Sequence, residues 1–288
     1  MNTNLYRHLC ILLAGGEGKR MGSETPKQYI DVLGRTIIGR TLQTIQRWSS
    51  LDSFVIVADE SYRELLDKQV PGSISVAEYV FLGYVSPGVS RQLSIKNAME
   101  VIQDHMAKDA VVMVHDAVRP EVSRELFDRC DAMIGAGDGV MPYLEMKDTI
   151  YKCQDIRLEV DRQDRIILQD NINTKEATDK ETTTEKATNP VAKRLVGNID
   201  RNTIVAGQTP EFYNYWKYLA AFQKKSDSDL ARIQGSTQLA VETGMDIRLV
   251  PGEESNFKIT TKEDLVRYKK VIEERLLSYE GVGSTPNK

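Results

Sequence analysis

The chain has 288 residues, of which 41% are hydrophobic and 28% are charged. This composition excludes fibrous and wholly disordered proteins, and it predicts either one large α/β domain with an appendage or two small domains. The formal net charge of -4 gives no general attraction to polyanions. We therefore expect no nucleic-acid partner, and any phosphate site must depend on a local cluster of cations.

The sequence also disfavours a membrane-spanning protein and a protein stabilised by disulfides. The apolar run from Leu9 to Ala14 is too short for the core of a signal peptide, and no run approaches the length that spans a bilayer. The three cysteines, Cys10, Cys130 and Cys153, match neither zinc-ligand nor redox spacing. These features predict reduced thiols in a cytoplasmic protein that has no membrane partner.

Short apolar runs alternate with stretches of helical periodicity through the first half of the chain. This alternation predicts βαβ units and a mainly parallel sheet. Helices are predicted from Ile37 to Trp48 and from Leu93 to Met106, and a Thr-Lys-Glu-Asp entrance predicts another from Thr261 to Tyr279. The predicted strands are Cys10–Leu13, Phe54–Val57, Val80–Leu82, Val111–Val114 and Gly139–Met141.

The segment from Gln169 to Lys193 departs from this pattern, since it is rich in Thr, Lys, Glu, Asp and Asn and contains no aromatic residue. It predicts a disordered or extended insertion, which is either a solvated loop or a regulatory, partner-binding segment. Residues 281–288 are predicted to form a flexible tail because they include two glycines and a proline.

The strongest chemical motif, LLAGGEGKRMGSETPKQY, follows the first predicted strand. Glycines let backbone amides approach phosphate oxygens, and nearby cations neutralise those oxygens. A structural turn is the simpler interpretation of isolated glycines, but three cations within nine residues favour phosphate binding. Walker A and dinucleotide loops are both disfavoured, because Arg20 and Met21 stand where those patterns require other residues. The motif contains Gly15, Gly16, Gly18, Gly22, Lys19, Arg20 and Lys27.

A second polar group, Asp116 and Arg119, follows the apolar run VVMVH. The simplest interpretation is an ion pair at the end of a strand. The carboxyl edge of a parallel sheet is, however, where ligands collect, so we favour a functional site. His115 completes the buried strand, and it is predicted to be a hydrogen-bonded core residue rather than a catalyst.

The segments AGGEGKRM and PKQ resemble those of the cytidylyltransferases of the methylerythritol phosphate and ribitol phosphate type. Further matches are SRQLSIKNAM, VHDAVRP, KDTI, IDR, GQTPEFY and NFKITTKEDL, so the resemblance runs from about Leu9 to about Tyr268. It implies a single Rossmann-like nucleotidyltransferase domain over residues 1–280, with a mainly parallel sheet. A protruding arm at about 147–207 would exchange contacts with a second subunit in a homodimer.

The resemblance also implies roles for individual residues. Arg20 and Lys27 would be the catalytic residues that grip the triphosphate. Arg201 and Thr209 would lie on the arm of the second subunit and reach the acceptor from there. The nucleotide would be held by Ala14, Gly15, Gly16, Gly18, Gly88 and Ser94, and the rest of the acceptor pocket would comprise Asp116, Arg119, Thr149 and Lys258.

The implied reaction transfers CMP from CTP to a sugar-alcohol phosphate and releases pyrophosphate. An acceptor phosphate is already ionised at neutral pH, so it can attack without a general base, and the main obstacle is repulsion between anions. Cations and preorganised amides address that obstacle. The resemblance implies Mg²⁺ as the cofactor, held mainly by the phosphates of CTP rather than by protein ligands.

The acceptor is the least determined feature. Ser94 and the Asp200-Arg201 pair favour 2-C-methyl-D-erythritol 4-phosphate, and hence isoprenoid biosynthesis. The GQTP stretch favours D-ribitol 5-phosphate, as do Gln234 and Gly235, which stand where relatives commonly carry Thr-Asp. We expect 2-C-methyl-D-erythritol 4-phosphate to be the acceptor. The alternative is D-ribitol 5-phosphate, which would give CDP-ribitol for surface polysaccharide. A sugar-phosphate nucleotidyltransferase with another base preference and a non-catalytic nucleotide-binding protein are further alternatives.

Overall fold

The computed structural model describes residues 5–16, 25–73, 79–160, 166–169 and 191–282. The chain divides into two compact units, one of residues 1–144 with 207–288 and the other of residues 145–206. The strands are β1 Tyr6–Leu13, β2 Ser53–Val57, β3 Val80–Val85, β4 Met106–Asp116, β5 Gly139–Glu145, β6 Ile150–Val160, β7 Ile166–Gln169, β8 Val191–Ile199, β9 Val205–Gly207, β10 Glu211–Asn214 and β11 Ile247–Pro251. The α-helices are α1 Ile37–Ile45, α2 Arg63–Ser73, α3 Arg91–Ile102, α4 Arg124–Ile134, α5 Tyr215–Gln223, α6 Asp227–Arg232, α7 Ser236–Glu242 and α8 Lys262–Val282.

The first unit is built on a twisted, mainly parallel sheet, as the sequence predicted. Within the described residues its strands follow the order β11-β5-β10-β4-β1-β2-β3. β1 pairs in parallel with both β2 and β4, whereas β10 is antiparallel to β4 and β5. The carboxyl ends of β1, β2 and β4 therefore meet at one edge of the sheet.

The central strand is buried on both faces, which explains why it appears as an uninterrupted apolar run. Leu9 and Ile11 belong to one core cluster, while Cys10 and Leu12 belong to another. Successive strand residues point to opposite faces, so each cluster lies on its own side of the sheet. Helix α1 contributes to the second cluster and α3 to the first, giving an α/β arrangement with helices on both faces.

Two helices end earlier than predicted: α1 ends at Ile45 rather than Trp48, and α3 ends before Met106. α3 ends at Ile102, and Met106, which was placed in that helix, is the first residue of β4. The prediction was wrong at Met106 because a buried methionine fits the helical period and the start of a strand equally well. α8 begins as predicted: the Thr261 hydroxyl accepts from the Asp264 amide at 3.3 Å, and the Asp264 carboxylate accepts from the Thr261 amide at 2.9 Å.

The second unit contains a three-stranded antiparallel sheet in the order β7-β6-β8. Gln169 pairs with Arg157, and Lys193 pairs with Asp155, so these ends of the predicted insertion are regular strands. Of the two forms predicted for this segment, disordered or extended, the extended form applies at these ends, because backbone pairing with β6 holds them in strands. Residues 170–190 lie outside the described residues, while Gly281 and Val282, predicted to belong to the tail, are the last residues of α8.

The cysteines are free thiols, with Cys10 and Cys130 buried and Cys153 exposed. Burial raises the pKa of the Cys130 thiol to about 12, so it stays protonated at neutral pH. In the part of the chain that the structure describes, no helix has the length and apolar character needed to cross a bilayer.

Candidate active site

A cavity of about 960 Å³ opens in the first unit at the carboxyl ends of β1, β2 and β4. Leu13, Val57 and Asp116, from the ends of these three strands, all line it. The polar residues that follow the apolar runs therefore converge at one edge of the sheet, where the sequence predicted a site.

We call the glycine-rich segment that follows β1, of which Ala14, Gly15 and Gly16 are described, the glycine loop. Gln28 and Tyr29 maintain its conformation. The buried side-chain amide of Gln28 donates to the carbonyl oxygens of Ala14 at 2.5 Å and Gly16 at 2.9 Å. The Tyr29 hydroxyl also donates to the Ala14 carbonyl, at 3.3 Å. One buried side chain thus ties two loop carbonyls together. Gly18 and Arg20, both predicted to bind CTP, lie outside the described residues.

The segment Pro87-Gly88 forms the facing wall of the cavity, and it packs tightly on the first turn of α3. The Gly88 amide donates to the Ser94 hydroxyl at 3.0 Å. A Cβ at Gly88 would lie 2.5 Å from the Leu93 Cβ and 2.9 Å from the Ser94 amide nitrogen, so this close approach requires glycine. Gly88 and Ser94 line the same cavity as Ala14, Gly15 and Gly16.

Asp116 lines the same cavity and is the centre of a charged cluster. Lys258 Nζ lies 2.9 Å from its Oδ2 and Arg119 Nε lies 3.5 Å from the same atom, while the Arg91 guanidinium donates to Oδ1. Burial alone would raise the pKa of Asp116, but these three cations hold it well below its usual range. The carboxylate is therefore ionised, oriented and surrounded by positive charge. We call Asp116, Arg91, Arg119 and Lys258 the Asp116 cluster.

Thr209 belongs to the base of this cluster rather than to an arm. Its hydroxyl accepts from the Asp116 backbone amide at 3.2 Å, and its carbonyl accepts from the Asn256 side-chain amide at 2.8 Å. Predicting Thr209 on the arm was wrong, because the residue lies two positions before β10, which pairs with β4 and brings it beside Asp116 in the same chain.

Comparison with known proteins identifies the family. The family model described as 2-C-methyl-D-erythritol 4-phosphate cytidylyltransferase, IspD, matches residues 9–174 and 177–274. The chain belongs to this family. It is a cytidylyltransferase.

Two curated relatives and one solved structure extend the comparison. A ribitol-5-phosphate cytidylyltransferase of Lacticaseibacillus paracasei is 28% identical over 270 residues, covering 93% of this chain and 98% of the relative. A 2-C-methyl-D-erythritol 4-phosphate cytidylyltransferase of Petrotoga mobilis is 28% identical over 267 residues, covering 91% and 97%. The crystal structure of 4-diphosphocytidyl-2C-methyl-D-erythritol synthase from Anaerococcus prevotii aligns with a TM-score of 0.63 at 20% identity, covering 93% and 99%. The predicted Rossmann-like fold is confirmed.

Two of the predicted acceptor residues of this cytidylyltransferase lie in its second unit. Thr149 and Arg201 are both exposed there. The Arg201 guanidinium donates to the Lys147 carbonyl at 2.8 Å. Their assignment to the acceptor stays a prediction.

Several residues of the cytidylyltransferase site were missed by the sequence analysis. Arg91 belongs to the SRQLSIKNAM motif, but the sequence indicates no role for it, because its partner Asp116 lies 25 residues away in the sequence. Gln28 likewise stood in the PKQ motif, where a residue that organises the glycine loop is not apparent from spacing. Tyr62, which lines the cavity and stacks on Tyr29 with ring centroids 4.0 Å apart, gave no sequence signal.

Substitutions at Gly15 and Gly16 form a matched pair that tests how closely the glycine loop packs on Pro87. A Cβ at Gly15 would lie 2.5 Å from the Pro87 Cβ, whereas one at Gly16 would meet nothing within 4 Å. We expect Gly15→Ala to lower the free energy of unfolding by about 1–3 kcal/mol and Gly16→Ala to change it by about 0.5 kcal/mol or less. Urea denaturation of both variants measures this. Equal losses would contradict the close packing of Gly15 on Pro87.

His115 is a buried core residue, as predicted. Its Nε2 lies 3.1 Å from the Arg119 carbonyl oxygen, so the neutral ring donates a hydrogen bond to that oxygen from Nε2. Burial is the main reason that the pKa of His115 is lowered to about 4 from the ordinary 6.5. The ring therefore stays neutral at physiological pH and fixes the turn that carries Arg119.

The lowered pKa of His115 predicts a specific loss of stability in acid. Between pH 6.5 and 4 the unfolded imidazole binds a proton that the folded one does not, so stability should fall as the pH decreases, by about 3 kcal/mol in total. His115→Gln keeps a side-chain donor near the Nε2 position but cannot titrate in this range. Its unfolding free energy should fall less between pH 6.5 and 4. Identical slopes for the two proteins would contradict a neutral, buried His115.

Proposed function

We propose that this enzyme transfers CMP from CTP to the phosphate of 2-C-methyl-D-erythritol 4-phosphate. The main support is that the glycine loop with Lys27 lines the same cavity as Asp116, Arg91 and Lys258 of the Asp116 cluster. Loop amides and a lysine suit a triphosphate. A carboxylate among three cations suits a ligand with both hydroxyl groups and a phosphate, because the carboxylate accepts from hydroxyls and the cations pair with phosphate oxygens.

The proposed residue roles follow from this division of the cavity. The backbone around Ala14, Gly15 and Gly16, which also includes Gly18, holds the cytidine together with Gly88 and Ser94. Lys27 and Arg20 contact the triphosphate, and Asp116, Arg119 and Lys258 contact the acceptor. The part assigned to Arg20 is supported by its place in the glycine-loop motif.

The proposed chemistry is an in-line displacement at phosphorus. An acceptor phosphate oxygen forms a bond to the α-phosphorus of CTP, the bond from that phosphorus to the bridging oxygen breaks, and pyrophosphate leaves with the electron pair. Lys27 and Arg20 stabilise the negative charge that grows on the leaving group. No covalent enzyme intermediate is needed, since the acceptor phosphate is itself the nucleophile.

Mg²⁺ fits this site as an ion held mainly by the substrate. Within the described ranges, no group of three or more His, Cys, Asp or Glu side chains could hold a metal ion. Among the described residues, the carboxylates that line the cavity are Asp59 and Asp116, and Asp116 is already paired with cations. Mg²⁺ commonly uses substrate phosphates with few protein ligands, so the donor set is compatible with a CTP-bound ion. When bound, the ion would neutralise phosphate charge.

D-ribitol 5-phosphate is the second candidate acceptor, because one relative of comparable identity bears that name. With saturating CTP and Mg²⁺, pyrophosphate release should give a kcat/KM for 2-C-methyl-D-erythritol 4-phosphate at least about tenfold above that for D-ribitol 5-phosphate. The opposite ratio would assign the enzyme to CDP-ribitol synthesis. Turnover with neither compound would reject the proposed acceptor class.

We also propose a cytoplasmic homodimer in which the second unit of one subunit completes the acceptor site of the other. The second unit exposes large apolar side chains, including Tyr151 at 54% and Leu195 at 60%. Exposed apolar groups on a small unit favour coverage by another protein surface, and a second copy is the simplest partner. Arg201 would then approach the partner's Asp116 cluster.

Complementation between two inactive variants tests shared sites. Lys27→Ala and Arg201→Ala subunits are each expected to be nearly inactive alone. Random exchange makes about half of the dimers mixed, and one of the two sites in each mixed dimer has both residues intact, so about a quarter of wild-type activity should return. Mass spectrometry confirms the exchange. A mixture that exchanges subunits and stays inactive, or a fully active monomer in light scattering, would contradict shared sites.

A further inference from the structure

Glu211, at the start of β10, is a buried acid that the proposed chemistry does not use. It is 7% exposed and lies opposite Val114 of β4, two residues before Asp116. Its Oε1 accepts from the Thr237 hydroxyl at 2.9 Å. Its Oε2 accepts no hydrogen bond from the described part of the chain, and it lies 3.7 Å from Arg91 NH2. A buried carboxylate with this geometry serves chiefly as a charge partner for Arg91.

Arg91 is consequently held on three sides. NH1 donates to Asp116, Nε donates to the Ser236 hydroxyl at 2.9 Å, and NH2 faces Glu211. A guanidinium is planar, so three partners at its three nitrogens fix both its position and its rotation. Arg91 is therefore firmly held within the Asp116 cluster, as is Arg119, whose NH1 donates to the Asn256 carbonyl at 2.6 Å.

Lys258 is constrained much less. Its side chain is 38% exposed, compared with 24% for Arg91 and 11% for Arg119. A lysine on a flexible stem can change partners when a phosphate arrives, whereas Arg91 would have to leave three groups. Movement of Lys258 to a phosphate would still leave Asp116 paired with Arg91.

We propose that Glu211 is a positioning residue for the acceptor: it anchors Arg91, so that Asp116 stays oriented toward the acceptor hydroxyls while Lys258 pairs with the acceptor phosphate. This inference rests on the proposed function. Without the charge of Glu211, Arg91 loses one of two anionic partners and can turn into the cavity. Asp116 then loses its fixed orientation, while the glycine loop that receives CTP is unaffected.

Glu211→Gln tests the inference, because it keeps the shape and an oxygen for Thr237 but removes the charge. We expect the KM for the acceptor to rise about tenfold, equivalent to about 1.4 kcal/mol, while the KM for CTP changes less than about twofold. Thr237→Val is the matched control, since it removes the hydrogen bond to Glu211 and keeps the charge. It should change either KM by less than about threefold.

A double-mutant cycle shows whether Glu211 acts through Arg91. In an Arg91→Met background, Glu211→Gln should cause no further rise in the KM for the acceptor. Additive losses, an unchanged KM for the acceptor in Glu211→Gln, or an equal rise in both KM values would overturn the inference. Calorimetric CTP binding verifies that each variant is folded. Failure of the proposed function is distinguishable, because the wild-type enzyme would then show no turnover with the acceptor.

Discussion

Lys27→Ala is expected to lower kcat by roughly two to four orders of magnitude while the protein keeps its fold. Lys27 begins a short helical turn beside the glycine loop and lines the cavity. In the proposed mechanism, its ammonium opposes the charge that grows on departing pyrophosphate. Alanine removes that charge without altering Gln28, which holds the loop. Steady-state kinetics with a thermal melt measure both effects.

Lys68→Ala is the matched control for Lys27→Ala. Lys68 lies on α2, is 72% exposed and pairs with Glu64 at 2.8 Å. It carries the same charge as Lys27 but does not line the cavity. Its loss should leave both kcat and stability unchanged, because exposed ion pairs contribute little. A folded Lys27→Ala protein with near-normal kcat would remove Lys27 from the mechanism.

Asp116→Asn is expected to lower kcat/KM for the acceptor by roughly two to three orders of magnitude. Asparagine keeps the size of the side chain, but it leaves Arg91, Arg119 and Lys258 without their shared counter-charge. These cations would repel one another and rearrange. The side chain would also lose an anionic oxygen for acceptor hydroxyls. Initial rates over a range of acceptor concentrations at saturating CTP measure the effect.

The control for Asp116→Asn is Asp246→Asn. Asp246 is 53% exposed and pairs with Arg248 at 2.6 Å, away from the residues that line the cavity. It should leave kcat/KM unchanged. CTP binding by calorimetry should survive in Asp116→Asn, since the glycine loop is separate from the cluster. Wild-type acceptor kinetics in that variant would show that Asp116 has no part in the acceptor site.

The parallel sheet could be predicted from sequence because its strands are buried. β1 is apolar on both faces, so Leu9 through Leu12 form an uninterrupted run that a simple count detects. β10, with the sequence EFYN, gave no such signal, since it is short and begins with a glutamate. Its strand character depends on antiparallel pairing with β4, which local propensity does not encode.

The residues of the candidate site also divide into those that the local sequence indicates and those that depend on distant contacts. The glycines and Asp116 lie next to apolar runs, so the topology of a parallel sheet is enough to bring them together. Gln28, Arg91 and Glu211 act through contacts with residues distant in the sequence, and no spacing rule identifies such partners. Thr209 shows the opposite error, because a role inferred from resemblance was assigned to the wrong part of the fold.

The central claim is that this chain joins CMP to a polyol phosphate, and ³¹P nuclear magnetic resonance of one reaction mixture tests it most directly. With enzyme, CTP, Mg²⁺ and 2-C-methyl-D-erythritol 4-phosphate, we expect pyrophosphate and a new diphosphate diester to appear in equal amounts as both substrates disappear. Replacing CTP by UTP, ATP or GTP should greatly reduce both signals. Inorganic phosphate or free CMP in place of the diester, or equal product from every nucleotide, would contradict the claim.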